Sequence, residues 1–170
     1  PYNDVHDVFK TYQDTILLVD KGEKKVSSTL GHDLMNDHPF AANRFEQARN
    51  HMLELQKILK CGNILDFNRL IEKEALTLHA MMMTSDPYFM LFKPNTLNII
   101  HKVWEKRESD NIPFTITLDA GANVHLLYPA EYKQIALDFI KDELIVYCQN
   151  EQYICDEVGK GPLLKMEHYA

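Results

Sequence analysis

From Phe40 to about Lys60, the apolar residues Phe45, Ala48, Met52, Leu55, Ile58 and Leu59 recur at steps of three and four. That is the spacing of one helical face. Pro39 suits the first turn of this helix and Gly62 ends it. The same period returns from about Ile64 to Met83, with Phe67, Leu70, Ile71, Ala75, Leu78 and Met82 inward. Ser85-Asp86-Pro87 breaks the second helix, and Tyr88 to Phe92 is a short extended or irregular segment. A third helix, capped by Asn95 or Thr96, carries Leu97, Ile100, Val103 and Trp104. A fourth spans Ala130 to Lys141, with Tyr132, Ile135, Ala136, Phe139 and Ile140 inward.

Strands read differently. Thr15 to Asp20 is a continuous apolar run of the kind buried in a sheet. Phe114 to Leu118 and Val124 to Pro129 flank a break of small residues and predict a hairpin. In its second arm Val124, Leu126 and Tyr128 share one face, with His125 and Leu127 on the other. Glu143 to Cys148 reads as a further strand, and Tyr153 to Asp156 as another. Four amphipathic helices need an apolar sheet face to bury their stripes. The expected fold is therefore α+β, an antiparallel sheet with helices packed on one face.

Composition narrows the function. The chain has 170 residues, 45% hydrophobic and 25% charged, the profile of a single globular domain. The net charge of −7 argues against a nucleic-acid binder. No apolar run approaches the ~20 residues of a membrane span. The first residues are polar and lack the apolar core of a signal peptide. Cys61, Cys148 and Cys155 are odd in number and lack metal-type spacing, which points to a reducing cytoplasm. Cys148 and Cys155 lie among apolar residues and are expected to be buried thiols. The eight histidines form no His-x-x-x-His pair, so no metal site is read. Arg44 and Arg49 are candidate anion contacts, although helical arginines mostly face water. His79 is read as a hydrogen-bonded buried histidine, and Met81 to Met83 as core filler.

Two stretches carry candidate chemistry. Asp119 stands where the first hairpin strand ends, a rigid place to hold a carboxylate. Gly121, two residues on, admits close approach to the main chain. The competing reading is an ordinary turn capped by its own Asp. The second stretch is Val26-Ser27-Ser28-Thr29-Leu30-Gly31-His32. Its hydroxyls can cap a helix or, with the free N–H groups of a first helical turn, bind phosphate.

Together, Lys25-Val26-Ser27-Ser28-Thr29-x-Gly31 and Thr117-Leu118-Asp119-Ala120-Gly121-Ala122-Asn123 resemble the paired signatures of diphosphomevalonate decarboxylases. That family belongs to the superfamily of galacto-, homoserine, mevalonate and phosphomevalonate (GHMP) kinases. Leu78-His79-Ala80 and Val158-Gly159-x-Gly161-Pro162 extend the agreement along nearly the whole chain. Three features depart from the family: His32 follows Gly31 where Met is usual, Ala122 replaces a common proline, and Glu74 to Leu78 is less polar.

The resemblance implies a ferredoxin-like C-terminal domain over 1–170, with the N-terminal half that binds ATP and Mg2+ lying outside this chain. It implies ATP-dependent decarboxylation of mevalonate 5-diphosphate to isopentenyl diphosphate in isoprenoid biosynthesis. Asp119 would orient the substrate's tertiary hydroxyl or take its proton. Ser28 and Thr29, with Ser27 beside them, would contact the 5-diphosphate. Gly121 and Asn123 would shape the pocket. A homodimer is the usual assembly of the family, and the domain by itself would be inactive. Two alternatives stay open. One is a related kinase that phosphorylates mevalonate or phosphomevalonate without decarboxylation; the other is a non-catalytic binding module.

Overall fold

The computed structural model describes residues 4–22 and 37–159. In chain order its main elements are β1 (Gln13–Leu17), α1 (Ala41–Cys61), α2 (Ile64–Met83), α3 (Pro94–Asp110), β2 (Thr115–Leu118), β3 (Val124–Tyr128), α4 (Lys133–Phe139) and β4 (Tyr153–Glu157). The strands form one antiparallel sheet in the order β2-β3-β1-β4. Leu118 stands opposite Val124, and Val124 opposite Leu17. The expected α+β sheet with packed helices is the observed architecture.

The alternation in the hairpin decides which face is buried. Ile116, Leu118, Val124, Leu126 and Tyr128 join Leu17 in the main core. Ile99, Ile100 and Val103 of α3, with Ala136 and Phe139 of α4, complete it. A smaller core gathers Phe9, Tyr12, Ile58, Phe67 and Leu70, with Leu127 packed against it. It joins α1 and α2, which form a hairpin closed by Gly62. Gly62 takes the left-handed conformation (φ 77°) and donates its N–H to the Ile58 carbonyl. No helix among the described residues is long and apolar enough to cross a membrane.

Several expectations need correction. β1 begins at Gln13, not Thr15, and ends at Leu17. Its polar entry residues are buried because they are bonded: Thr15 shares a 2.7 Å hydrogen bond with the Tyr128 hydroxyl. Residues 143–148 are not a strand. Ile140–Leu144 is a π-helical turn and Ile145–Tyr147 a 3-10 turn. Ile140, Leu144 and Cys148 are buried at four-residue steps while Val146 is exposed. That burial period overrides the strand preference of the β-branched residues. The same π turn continues α4 past the expected end, and Ile135 faces solvent.

The inner face of α1 is also rotated from the expected one. Phe45 and Met52 are exposed, whereas Ala41, His51 and Ile58 are buried. α3 starts at Pro94 with Leu97 outward and Ile99 inward. Cys148 is buried as expected, but Cys155 is exposed because it lies on the edge strand β4, whose other residues are also mostly exposed.

Candidate active site

The β2–β3 turn carries Asp119, Gly121 and Asn123, and side chains from three directions hold it. Phe114 to Leu118 runs into the turn, so Asp119 sits at the end of a buried strand with its own side chain exposed. The Asp119 carbonyl accepts two hydrogen bonds, from the Gly121 N–H at 2.7 Å and from His79 Nε2 at 3.1 Å. At the other end, Thr96 Oγ1 donates to the Ala122 carbonyl at 2.7 Å. Thr96 is fully buried, and its hydroxyl also accepts the Lys93 N–H, which starts α3. Asn123 Oδ1 accepts the Asp20 N–H at 2.9 Å. The chain leaving β1 is thereby tied to the turn.

That exit loop is bonded in its own right. Asp20 Oδ1 accepts the Gly22 N–H at 2.8 Å, and its carboxylate faces Lys93 Nζ at 3.6 Å. Lys21 is anchored on the far side through Gln149 and Gln152. Gly121 does not use a left-handed backbone: Gly62 is the glycine with positive φ among the described residues. A Cβ at Gly121 would instead meet no described atom within 4 Å, so its surface is open to an approaching group.

Ser27, Ser28 and Thr29 lie outside the described residues, as do Gly31, Gly161 and Pro162. Arg44, read as an anion contact, is committed elsewhere: its Nη2 stands 2.7 Å from Glu74 in the α1–α2 interface. Arg49 is exposed. Among the described residues no group of three or more His, Cys, Asp or Glu side chains could hold a metal ion. A separate groove of about 710 Å³ runs along α2 from Leu65 to Ala80, walled by the Glu72–Arg107 ion pair. It does not include the turn.

The sequence did not single out Asp20, Lys93 or Thr96 as neighbours of the turn. The sequence places the cap of α3 at Asn95 or Thr96; the cap is Lys93, and Thr96 stands at the third helical position, where its hydroxyl accepts the Lys93 N–H. The second partner of Thr96, the Ala122 carbonyl, comes from a distant segment that only the fold supplies. His79 was read as a satisfied buried histidine, and it is: burial pushes its pKa below the ordinary value of 6.5, while its bond to Asp119 works against that shift. The neutral ring donates Nε2–H to a carbonyl that can only accept.

Among the described residues, a four-stranded antiparallel sheet backed by helices, with Asp119 in a turn at one end, defines an α+β domain. Residues 15–165 match the model of the mevalonate 5-diphosphate decarboxylase C-terminal domain, and the chain belongs to that family. Its fold resembles mevalonate pyrophosphate decarboxylase from Streptococcus pyogenes at a TM-score of 0.79 and 22% identity, over 93% of this chain and 48% of that one. Mevalonate diphosphate decarboxylase from Staphylococcus aureus aligns at a TM-score of 0.79 and 23% identity, over 90% and 45%. A protein designated MDDEF, in complex with MVAPP, AMPPCP and magnesium, aligns at 0.77 and 22%, over 91% and 45%. The chain thus spans about half the length of these structures. No curated protein matches the chain.

Proposed function

We propose that this chain is the C-terminal domain of an ATP-dependent decarboxylase that converts mevalonate 5-diphosphate to isopentenyl diphosphate, phosphate, carbon dioxide and ADP. The observation that carries this reading is the hydrogen bond from the Asp20 N–H to Asn123 Oδ1. It holds the exit of β1 against the turn of Asp119. Ser27 follows Asp20 by seven residues, a reach of at most roughly 25 Å. The end of β1 and the β2–β3 turn, far apart in sequence, lie at one end of the sheet, which supports bringing the two signatures to one site.

Asp119 acts on the substrate's tertiary 3-hydroxyl, orienting it or accepting its proton as the oxygen attacks the γ-phosphate. Phosphate then leaves C3, and the carboxylate is lost as carbon dioxide to form the double bond. A tertiary alcohol is a weak nucleophile, so a positioned carboxylate helps the first step most. Ser28 and Thr29, with Ser27, bind the 5-diphosphate. Gly121 supplies an open stretch of main chain, and Asn123 shapes the pocket wall.

The described residues offer no metal-ligating cluster, and we assign ATP and Mg2+ mainly to a separate N-terminal half. The binding of AMPPCP and magnesium by a neighbour of this fold supports their use. It follows that residues 1–170 alone do not turn over. We further place the protein in the cytoplasm as a homodimer; the free thiols of Cys61, Cys148 and Cys155 suit a reducing compartment.

The test is product formation by the full-length protein. ATP and magnesium are supplied with mevalonate, its 5-phosphate or its 5-diphosphate, and ADP and carbon dioxide are followed together. Equal amounts of both from the 5-diphosphate, lost in Asp119→Asn, are expected. ADP without carbon dioxide would identify a kinase and overturn the reading.

A further inference from the structure

We propose that Lys93 binds the substrate's 5-diphosphate, and that Asp20 holds the same ammonium until that anion takes its place. The inference rests on the decarboxylase reading above and adds a cation to its site. Its basis is the position of Lys93 between the exit of β1 and the turn of Asp119.

The root of the Lys93 side chain is tied to the turn. Its N–H donates to Thr96 Oγ1 at 3.2 Å, and that hydroxyl donates to the Ala122 carbonyl at 2.7 Å. The residue before it is fixed as well: the Phe92 ring stacks on His79 with centroids 4.3 Å apart, and His79 donates to the Asp119 carbonyl. The head of the side chain reaches the exit loop. Nζ stands 3.6 Å from Asp20 Oδ2, and the Asp20 N–H is bonded to Asn123 Oδ1. One lysine thus spans the turn and the loop whose continuation carries Ser27, Ser28 and Thr29.

A diphosphate bound here needs a cation. Asp119 and Asp20 both stand at this end of the sheet, and their negative charge repels an anion. The hydroxyls of Ser27, Ser28 and Thr29 can bond phosphate but carry no charge. Lys21, on the same exit loop as Asp20, is committed to Gln152 Oε1 at 2.5 Å. Lys93 is placed differently. Its contact with Asp20 is longer than a hydrogen bond, and the two side chains are 49% and 42% exposed. Such an exposed pair contributes little to stability. A multiply charged anion attracts the ammonium more strongly than one carboxylate does. The flexible lysine stem lets the head move while its root stays with the turn.

The chemistry of the reaction selects the diphosphate over the substrate's carboxylate as the partner. A cation on the carboxylate would stabilise the charge that loss of carbon dioxide must withdraw. On the diphosphate it binds without opposing that step. Removing the cation costs a diphosphate more than a monophosphate, because the diphosphate carries more charge. Lys93 therefore favours the 5-diphosphate over the 5-phosphate.

The test uses full-length wild type, Lys93→Met, Lys93→Arg, Asp20→Asn and the double variant Asp20→Asn with Lys93→Met. Equilibrium titration gives Kd for mevalonate 5-diphosphate and for mevalonate 5-phosphate. Lys93→Met is expected to weaken the 5-diphosphate about 10-fold and the 5-phosphate about threefold or less. Lys93→Arg keeps the charge and should lose less. Asp20→Asn keeps an oxygen for the Gly22 N–H but removes the competing charge. It should tighten the 5-diphosphate about two- to fivefold, and by less in the double variant.

Unchanged binding in Lys93→Met, or equal weakening of both ligands, would overturn the assignment. Weaker binding of the 5-diphosphate in Asp20→Asn would overturn the exchange, making Asp20 a support of the site and not a competitor. Turnover with ATP and magnesium decides the decarboxylase reading separately. Wild type that binds the 5-diphosphate yet releases no carbon dioxide would overturn that reading, whereas the Kd values alone decide the role of Lys93.

Discussion

One carboxylate oxygen of Glu72 accepts the main-chain N–H of Ile116 at 3.2 Å, so a helix side chain closes the outer edge of the sheet. The same carboxylate accepts from the Thr115 hydroxyl, Trp104 Nε1 and Arg107. β2 is an edge strand, and exposed edges recruit other strands. Here α2 packs along the edge and Glu72 satisfies the Ile116 donor. Glu72→Ala would leave the buried Thr115 hydroxyl, the Ile116 N–H and Arg107 without that acceptor. A loss of about 3–5 kcal/mol in unfolding free energy is expected. Urea unfolding should show it, and light scattering should show self-association through the uncovered edge.

The two glycines that matter do so for opposite reasons. Gly62 has φ 77°, and a Cβ there would meet the His6 ring at 2.6 Å. Gly62→Ala should cost at least about 1–2 kcal/mol from the left-handed backbone alone. Gly121→Ala meets no described atom within 4 Å and should change stability by less than about 0.5 kcal/mol. If the substrate passes over Gly121, the same change should raise KM in the full-length enzyme. Equal KM for Gly121→Ala and wild type would remove Gly121 from the pocket.

Thr96 holds the turn from below through its hydroxyl. Thr96→Val keeps the shape but leaves the Ala122 carbonyl and the Lys93 N–H without that partner. The expected loss is about 1–3 kcal/mol. Thr96→Ser retains the hydroxyl and should lose less. Amide exchange at 119–123 should accelerate in the valine variant more than in the serine variant.

Acid should loosen the domain in two stages. The cation of His79 is disfavoured in the fold, so the unfolded chain binds its proton more readily. Stability from this group is complete above its ordinary pKa of 6.5 and falls as pH drops below it. Glu74 behaves differently. Burial raises its pKa, but hydrogen bonds and charge from Arg44 and His51 outweigh that and hold it below the ordinary 4.5. Its contribution is present above 4.5 and is lost as pH falls through the lower folded value. Denaturant midpoints from pH 8 to pH 3 should show both falls. His79→Gln should abolish the first, and Glu74→Gln the second.

Much of this domain is legible from residue spacing. Gly62 and the Ser85-Asp86-Pro87 break bound α2, and the hairpin of β2 and β3 follows from alternation around small residues. β4 is also where the pattern puts a strand. What failed has a common cause: burial that the local sequence does not display. Gln13 looks too polar to begin a central strand until Glu157 supplies a partner. Residues 143–148 have strand composition, yet they are wound because Ile140, Leu144 and Cys148 must all reach one core. In the same way, Asp119 and Asn123 can be singled out in sequence, while the His79 and Thr96 contacts that hold their turn depend on segments far from it.

β1 lies between β3 and β4, and its pairing residues come from near the start of the chain and beyond residue 120. Of the four strands β1 is made before the others, yet neither of its neighbours exists until most of the domain has been made. The α1–α2 hairpin and the β2–β3 hairpin can form from nearby residues, but β1 must wait. Such distant pairings slow folding and leave a strand unprotected meanwhile. The first of these four strands to be made is therefore among the last to be enclosed, and it waits exposed while the other three are synthesised.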